Sequence, residues 1–186
     1  MSDVKVASRY AKSLLELAVE KNILEEVMKD VKQFLSIASE NRELVLALKS
    51  PIINSDKKLS ILKAVMGTGT QSLIMIFFDL VTRKNRADVL VDTFKEFEKQ
   101  YNGQKGIQVA EVTTTFALTD ELRSKFIQIV KEISGLEQVQ LVEKINSELI
   151  GGFVLKVNDK QLDDSISSKL RKLRQNFAQR YFVKLY

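Results

Sequence analysis

Apolar positions along this chain recur with two different periods, and the change falls a little past the middle. Up to Lys105 the spacing is helical. Asp3 is placed to cap a first helix, in which Ala7, Tyr10, Ala11, Leu14, Leu17 and Ala18 form one stripe while Val6, Leu15 and Val19 lie towards a second. So wide an arc is more than one neighbour covers. Either this helix is central to a core, or it meets its own domain on one side and a partner on the other. Asn22 interrupts the pattern, and Leu24, Val27, Met28, Val31, Phe34, Leu35 and Ala38 predict a second helix that ends in the polar residues 39–41. A short third segment with Leu44, Val45 and Leu48 stops at Ser50-Pro51, because the residue before proline is pushed out of the helical region. Asn54, Ser55 and Asp56 offer caps for a fourth helix carrying Leu59, Leu62, Val65 and Met66. A fifth, over residues 71–84, is apolar nearly all round and so demands burial on almost every side, most easily with part of its surface against another protein. Asn85-Arg86 punctuates. A sixth helix then turns Ala87, Leu90, Val91, Phe94, Phe97 and Tyr101 inwards and sets opposite charges at helical spacing on the other face.

Residues 102–106, Asn-Gly-Gln-Lys-Gly, read as a linker, and beyond them the period changes. Residues 107–118 are rich in Val and Thr and predict a strand. Thr119 caps a helix with Asp120 and Glu121 in its first turn and a stripe of Leu122, Phe126, Ile129, Val130 and Ile133, stopped by Gly135. Val139, Leu141, Glu143 and Ile145 alternate as a second strand. Gly151 and Gly152 precede the alternating run from Phe153 to Val157; Asn158-Asp159 supplies a turn, and residues 160–162 return as a short partner. The two glycines read as a sharp strand entry, where other residues resist the backbone conformation. Asp163 and Asp164 resemble an acid pair, but beside Ser165 and ahead of Ile166, Leu170, Leu173, Phe177 and Tyr181 at helical spacing they read as caps. The expected fold class is mainly α: an N-terminal six-helix bundle in residues 1–105, followed by a small α+β domain in residues 106–186.

Composition narrows the chemistry. Among 186 residues there is neither Cys nor His, which removes disulfides, thiolate nucleophiles, the usual zinc sites and Ser-His or Cys-His catalytic pairs. Carboxylates, lysines and hydroxyls remain, so an enzyme is disfavoured; no catalytic, metal or cofactor residue is assigned. Gly67-Thr68-Gly69 follows a helix and lacks the third glycine and the Lys-Ser/Thr pair of a phosphate loop. The net charge of +5 is spread thinly: up to Lys105 there are 17 basic and 14 acidic residues, and after it 12 and 10. The charge is concentrated only in the last helix, where Lys169, Arg171, Lys172, Arg174, Arg180 and Lys184 interleave with Phe177, Tyr181 and Phe182 without an acid. That pattern suits nucleic acid, or equally an acidic partner helix. The N-terminus has no signal-peptide core, and the greasiest run, residues 73–81, is interrupted by Asp79 and far short of the about 20 residues a bilayer needs. A soluble, cytoplasmic protein is expected, with membrane association only through partners.

The order of elements and certain residues resemble the delta subunit of bacterial F-type ATP synthases, whose mitochondrial counterpart is the oligomycin-sensitivity-conferring protein. The resemblance spans the chain. Its most specific part runs from Leu149-Ile150-Gly151-Gly152-Phe153-Val154 through Leu162-Asp163-Asp164-Ser165 to Lys169-Leu170-Arg171-Lys172-Leu173, and a second match is Arg9-Tyr10-Ala11-Lys12 followed by Leu14, Leu17 and Ala18. Weaker matches are Asn85-Arg86 and the run from Ala110-Glu111-Val112 to Ala117-Leu118-Thr119. The chain departs from the family pattern at Asn146-Ser147-Glu148, commonly Asp-Pro-Ser, and at Asp164 and Asn158-Asp159, where glycine is frequent. The resemblance implies a stator component without an active site or cofactor, monomeric when isolated, on the cytoplasmic face of the bacterial inner membrane as a peripheral part of the synthase. It implies that the helical domain receives the N-terminal helices of the alpha subunits, and the C-terminal domain the C-terminal ends of the stalk b subunits; no nucleic acid is involved. The groove for the alpha helices is expected from the exposed parts of the first and fifth helices, with Tyr10, Ser13, Leu14 and Leu17 against Ile76, Phe77 and Leu80. Gly151, Gly152, Phe153, Asp163, Asp164 and Ser165 are expected to hold the C-terminal domain together.

Overall fold

The computed structural model describes residues 3–67 and 69–180. It is mainly helical with a small four-stranded sheet. By its internal contacts the chain divides into two compact units, Met1–Tyr101 and Asn102–Tyr186.

The first unit is built from α1 (Asp3–Glu20), α2 (Leu24–Glu40), α3 (Arg42–Lys49), α4 (Ser55–Met66), α5 (Ser72–Arg83) and α6 (Leu90–Lys105), the last entered through a 3-10 turn at Ala87–Val89. Two asparagines end helices in the same way. Asn22 and Asn85 take φ of 55° and 53°, and the next amides, Ile23 and Arg86, donate back to the carbonyls of Ala18 and Val81. This loop needs a left-handed residue, which asparagine tolerates better than other residues with side chains. Gly67 closes α4 at φ 74°. Asn54 stands at the start of α4 in extended conformation but makes no side-chain capping bond; its Oδ1 accepts from the Ser55 hydroxyl instead.

Inside, Phe34, Phe78 and Phe94 are fully buried, with Phe34 edge-on to Phe94 at 5.0 Å between centroids. Buried Thr82 and Thr93 need no partner helix, because each hydroxyl donates to a carbonyl of its own helix turn, on Phe78 and Val89. The entry to α5 is fixed by the buried Asp30 carboxylate of α2, which accepts the Gln71 amide at 2.7 Å. Lys58 of α4 donates to the Leu48 carbonyl at the end of α3 at 2.7 Å, where Pro51 prevents the helix from going on. The expected linker is not a loop. Asn102 to Lys105 form the last turn of α6, and only Gly106, at φ 67°, breaks the helix. Two glycines in five residues mimic loop composition, but Gly103 does not stop a helix that already has a long buried face, and the helix ends only at Gly106.

The second unit runs β1 (Ile107–Thr114), α7 (Asp120–Ser134), β2 (Gln138–Ile145), a 3-10 turn at Ser147–Leu149, β3 (Phe153–Val157), β4 (Lys160–Asp163) and α8 (Ile166–Arg180). The sheet order is β2-β1-β3-β4. β1 and β2 are parallel, joined by α7, whereas β3 lies antiparallel to both β1 and β4. Ala110 and Val112 sit opposite Val157 and Leu155 in the register, and these four bury with Phe126 and Val130 of α7 as the core. Thr119 caps α7 by accepting the Leu122 amide, and Gly135 ends it in left-handed conformation. Arg123 bridges Asp120 and Glu143 at 2.7 Å each, tying α7 to β2, and Glu143 holds its guanidinium above the ordinary pKa. The first strand is shorter than its Val- and Thr-rich sequence suggests: the Thr114 hydroxyl donates to the Phe116 carbonyl at 2.7 Å and turns the chain away. Ile145 is exposed at the end of β2. At the hairpin Asn158 takes φ 50° and exchanges two amide hydrogen bonds, at 2.9 and 3.0 Å, with the buried Gln108 of β1.

Candidate functional site

α1 and α5 leave an apolar groove of about 230 Å³ on the surface of the first unit. Its lining contains the seven expected residues, Tyr10, Ser13, Leu14, Leu17, Ile76, Phe77 and Leu80, and one more, Leu73. They do not play equal parts. Leu14 and Phe77 are buried rather than exposed and form the floor, with Leu73 beside them. Leu17, Ile76 and Leu80 stand exposed along the sides, Ile76 at 60%. Tyr10 is half-buried, its ring edge-on to Phe77 at 6.2 Å, and Phe77 in turn stacks on Phe94 at 6.0 Å. The groove is thus the outer face of the aromatic core. Ser13 is the polar member; its hydroxyl donates to the Arg9 carbonyl one turn back. A second hollow of about 210 Å³, lined by Val6, Arg9, Tyr10 and Ser13, continues the surface along α1.

In the second unit the glycine pair is clasped against the β4–α8 junction. Phe153 accepts the Asp164 amide and Gly151 the Ile166 amide, both at 3.0 Å. Gly152 has φ 78°, and a Cβ there would lie 2.4 Å from the Asp164 carbonyl oxygen, so both backbone and space require glycine. At Gly151 a Cβ would meet only the Ile166 side chain, at 2.6 Å. Phe153 packs edge-on against Phe126 at 4.9 Å and anchors the strand entry in the core. The capping roles divide differently from the expectation. Ser165 is the cap, its Oγ accepting the Ser168 amide at 3.2 Å. Asp163 ends β4 and braces that cap, accepting the Ser165 amide at 3.0 Å and the Ser168 hydroxyl at 2.6 Å. These donors, led by the Ser168 hydroxyl, lower its pKa to about 2. Asp164 makes no cap; it pairs with Lys169 at 2.8 Å. Ile150, just before the glycines, holds φ 65° despite its branched side chain and is exposed.

Beyond its first turn α8 is bare: every residue from Lys169 to Phe177 is exposed. Arg171 donates to the Ser168 hydroxyl at 2.9 Å. The basic and aromatic pattern noted in the sequence extends to Tyr181, Phe182 and Lys184, which lie outside the described residues.

A family model described as ATP synthase delta (OSCP) subunit matches residues 6–177. The chain belongs to that family. It is 39% identical over 179 residues to ATP synthase subunit delta of Cytophaga hutchinsonii, covering 96% of this chain and 97% of the relative. The delta subunits of Amoebophilus asiaticus and Chlorobaculum tepidum are 36% and 35% identical, over 95% and 96% of this chain and 96% and 98% of theirs. The fold is shared with a chain of the Toxoplasma gondii mitochondrial ATP synthase hexamer at TM-score 0.73 and 20% identity, covering 92% of this chain and 97% of that one. Family members are structural stalk subunits of ATP synthase, not catalytic ones. No helix among the described residues is long and apolar enough to cross a membrane. Leu73 was the groove residue missed from the sequence. It sits three and four positions before Ile76 and Phe77, so the same helical face was already pointing to it.

Proposed function

We propose that this chain is the link of the stator. Its residues 1–105, a six-helix bundle, take the N-terminal helices of the alpha subunits into the α1–α5 groove, and its residues 106–186 hold the C-terminal ends of the peripheral-stalk b subunits. The observation that carries this reading is the groove: an apolar trough with a rigid aromatic floor and exposed Leu17, Ile76 and Leu80 on its sides. An amphipathic helix laid along it buries its own apolar face and these three side chains together. Rotor torque on the head then passes through this chain to the stalk, so proton flow stays coupled to synthesis. Two attachments on one chain raise the effective concentration of each for the other. The protein is monomeric when isolated and sits on the cytoplasmic face of the bacterial inner membrane, held there only by the complex.

The test is titration with a peptide from the alpha-subunit N-terminus at low and high salt. Saturable binding at one site per protein, nearly independent of salt, is expected of an apolar groove. Absence of peptide binding, with nucleic acid bound instead and released by salt, would overturn the reading.

A further inference from the structure

Helix α8 presents a surface that its own fold leaves unused. Ile166, Leu170, Leu173 and Phe177 fall on one face at helical spacing, and the last three are each more than half exposed. Ile150 stands at the start of that face, since the adjoining Gly151 carbonyl accepts the Ile166 amide. It is 68% exposed at φ 65°, a conformation that branched side chains avoid. Glycine would fit the backbone there without strain, and the isoleucine side chain is mostly in solvent. At about 100° per residue, Lys169 and Arg174 flank the stripe on opposite sides. The fifteen residues of α8 contain Lys169, Arg171, Lys172, Arg174 and Arg180 and no acid. Of Lys169, Arg171, Lys172 and Arg174, Lys169 forms an ion pair, with Asp164.

We infer that α8 and Ile150 form the docking face for an acidic amphipathic helix. Apolar side chains of the partner cover Leu170, Leu173 and Phe177, Ile150 anchors one end, and carboxylates meet Lys169 and Arg174 along the edges. A second copy of this chain is the wrong occupant, because it would set one row of cations without acids against another. This deepens the proposed stalk attachment by naming its face and the charge of its partner, and it rests on that reading.

The experiment uses the full chain and three probes: two designed amphipathic helices with the same apolar stripe, flanked by Glu or by Lys, and a peptide from the C-terminus of the stalk b subunit. The Glu-flanked helix and the b peptide should bind one to one, and the Lys-flanked helix at least tenfold more weakly. Ile150→Gly, which relieves strain and keeps the fold, should weaken the Glu-flanked helix at least tenfold, and Leu173→Asp more. Arg174→Glu should narrow the preference between the Glu- and Lys-flanked helices. If both designed helices bind alike, or anionic vesicles or nucleic acid bind α8 in their place, the inference is overturned. If the b peptide binds but ignores Ile150→Gly and Leu173→Asp, the docking face is wrong while the stalk reading stands. Failure of the b peptide to bind at all would overturn both.

Discussion

The groove of the helical unit is the outside of a core, whereas the exposed stripe of the α+β unit belongs to one helix that its core barely touches. Leu14 and Phe77 serve the first unit twice, as groove floor and as packing, and Phe77 stacks directly on Phe94. In the second unit Leu170, Leu173 and Phe177 lie outside the core made by Ala110, Val112, Phe126, Val130, Leu155 and Val157. The difference teaches where recognition is separable from folding. The floor of the groove, Leu14 and Phe77, cannot be altered without cost to stability. On α8 the surface can be rewritten and the fold kept.

The hardest test of that contrast is Phe94→Ala, which removes the ring shared by Phe34, Phe77 and Phe78. It should cost about 3–5 kcal/mol in denaturant unfolding of the helical unit and abolish peptide binding with it. Gly152→Val comes next. Positive φ and the Asp164 carbonyl together should destabilise the α+β unit by about 3 kcal/mol, seen as loss of dispersed amide signals from Asn102 onwards while those of the helical unit persist. Melting of both units together would show that they do not fold independently. Tyr10→Asp should weaken the alpha-subunit peptide at least tenfold and lower stability by about 1 kcal/mol, because its ring is half-buried; collapse of the helical signal would make it core. A smaller effect is expected from acid. Asp163 has a pKa of about 2 in the fold against an ordinary 3.8, so the unfolded chain binds the proton more readily. Its stabilisation is complete above about pH 4 and disappears as pH falls towards 2. In Asp163→Asn the fall in melting temperature over that window should be shallower. Leu173→Ser, at the far end of the scale, should change stability by less than about 0.5 kcal/mol. A larger loss would mean that α8 packs more tightly than its exposure implies.

Local chemistry was legible in the sequence, and long-range geometry was not. Thr119, Gly135 and the Asn158 turn could be read because each acts on a backbone within a few residues of itself. The groove residues could be gathered because the family resemblance points to a helix-binding groove there and α1 and α5 are both too apolar for one-sided burial. What the stripes could not tell was depth: whether Leu14 or Leu17, four tenths exposed, is floor or wall depends on where α5 crosses. Asn102 to Lys105 misled because composition does not report the helix already running into it. Asp163 stands at the expected junction in another role, since a cap two residues later, at Ser165, has the same local pattern. Strand order was out of reach altogether, because β1 takes its neighbours from segments far along the chain.

That last arrangement has a consequence for how the protein is made. β1 is an inner strand of the sheet and the first strand to leave the ribosome, when both its neighbours are still unsynthesised. β2 follows a whole helix later, and β3 later still. The helical unit, rich in local contacts, is positioned to fold early, while a Val- and Thr-rich strand waits with two open edges that any other nascent chain could pair with. Slowing translation between β1 and β3 should therefore raise aggregation of this protein, and the aggregates should incorporate β1 while the preceding helices remain folded.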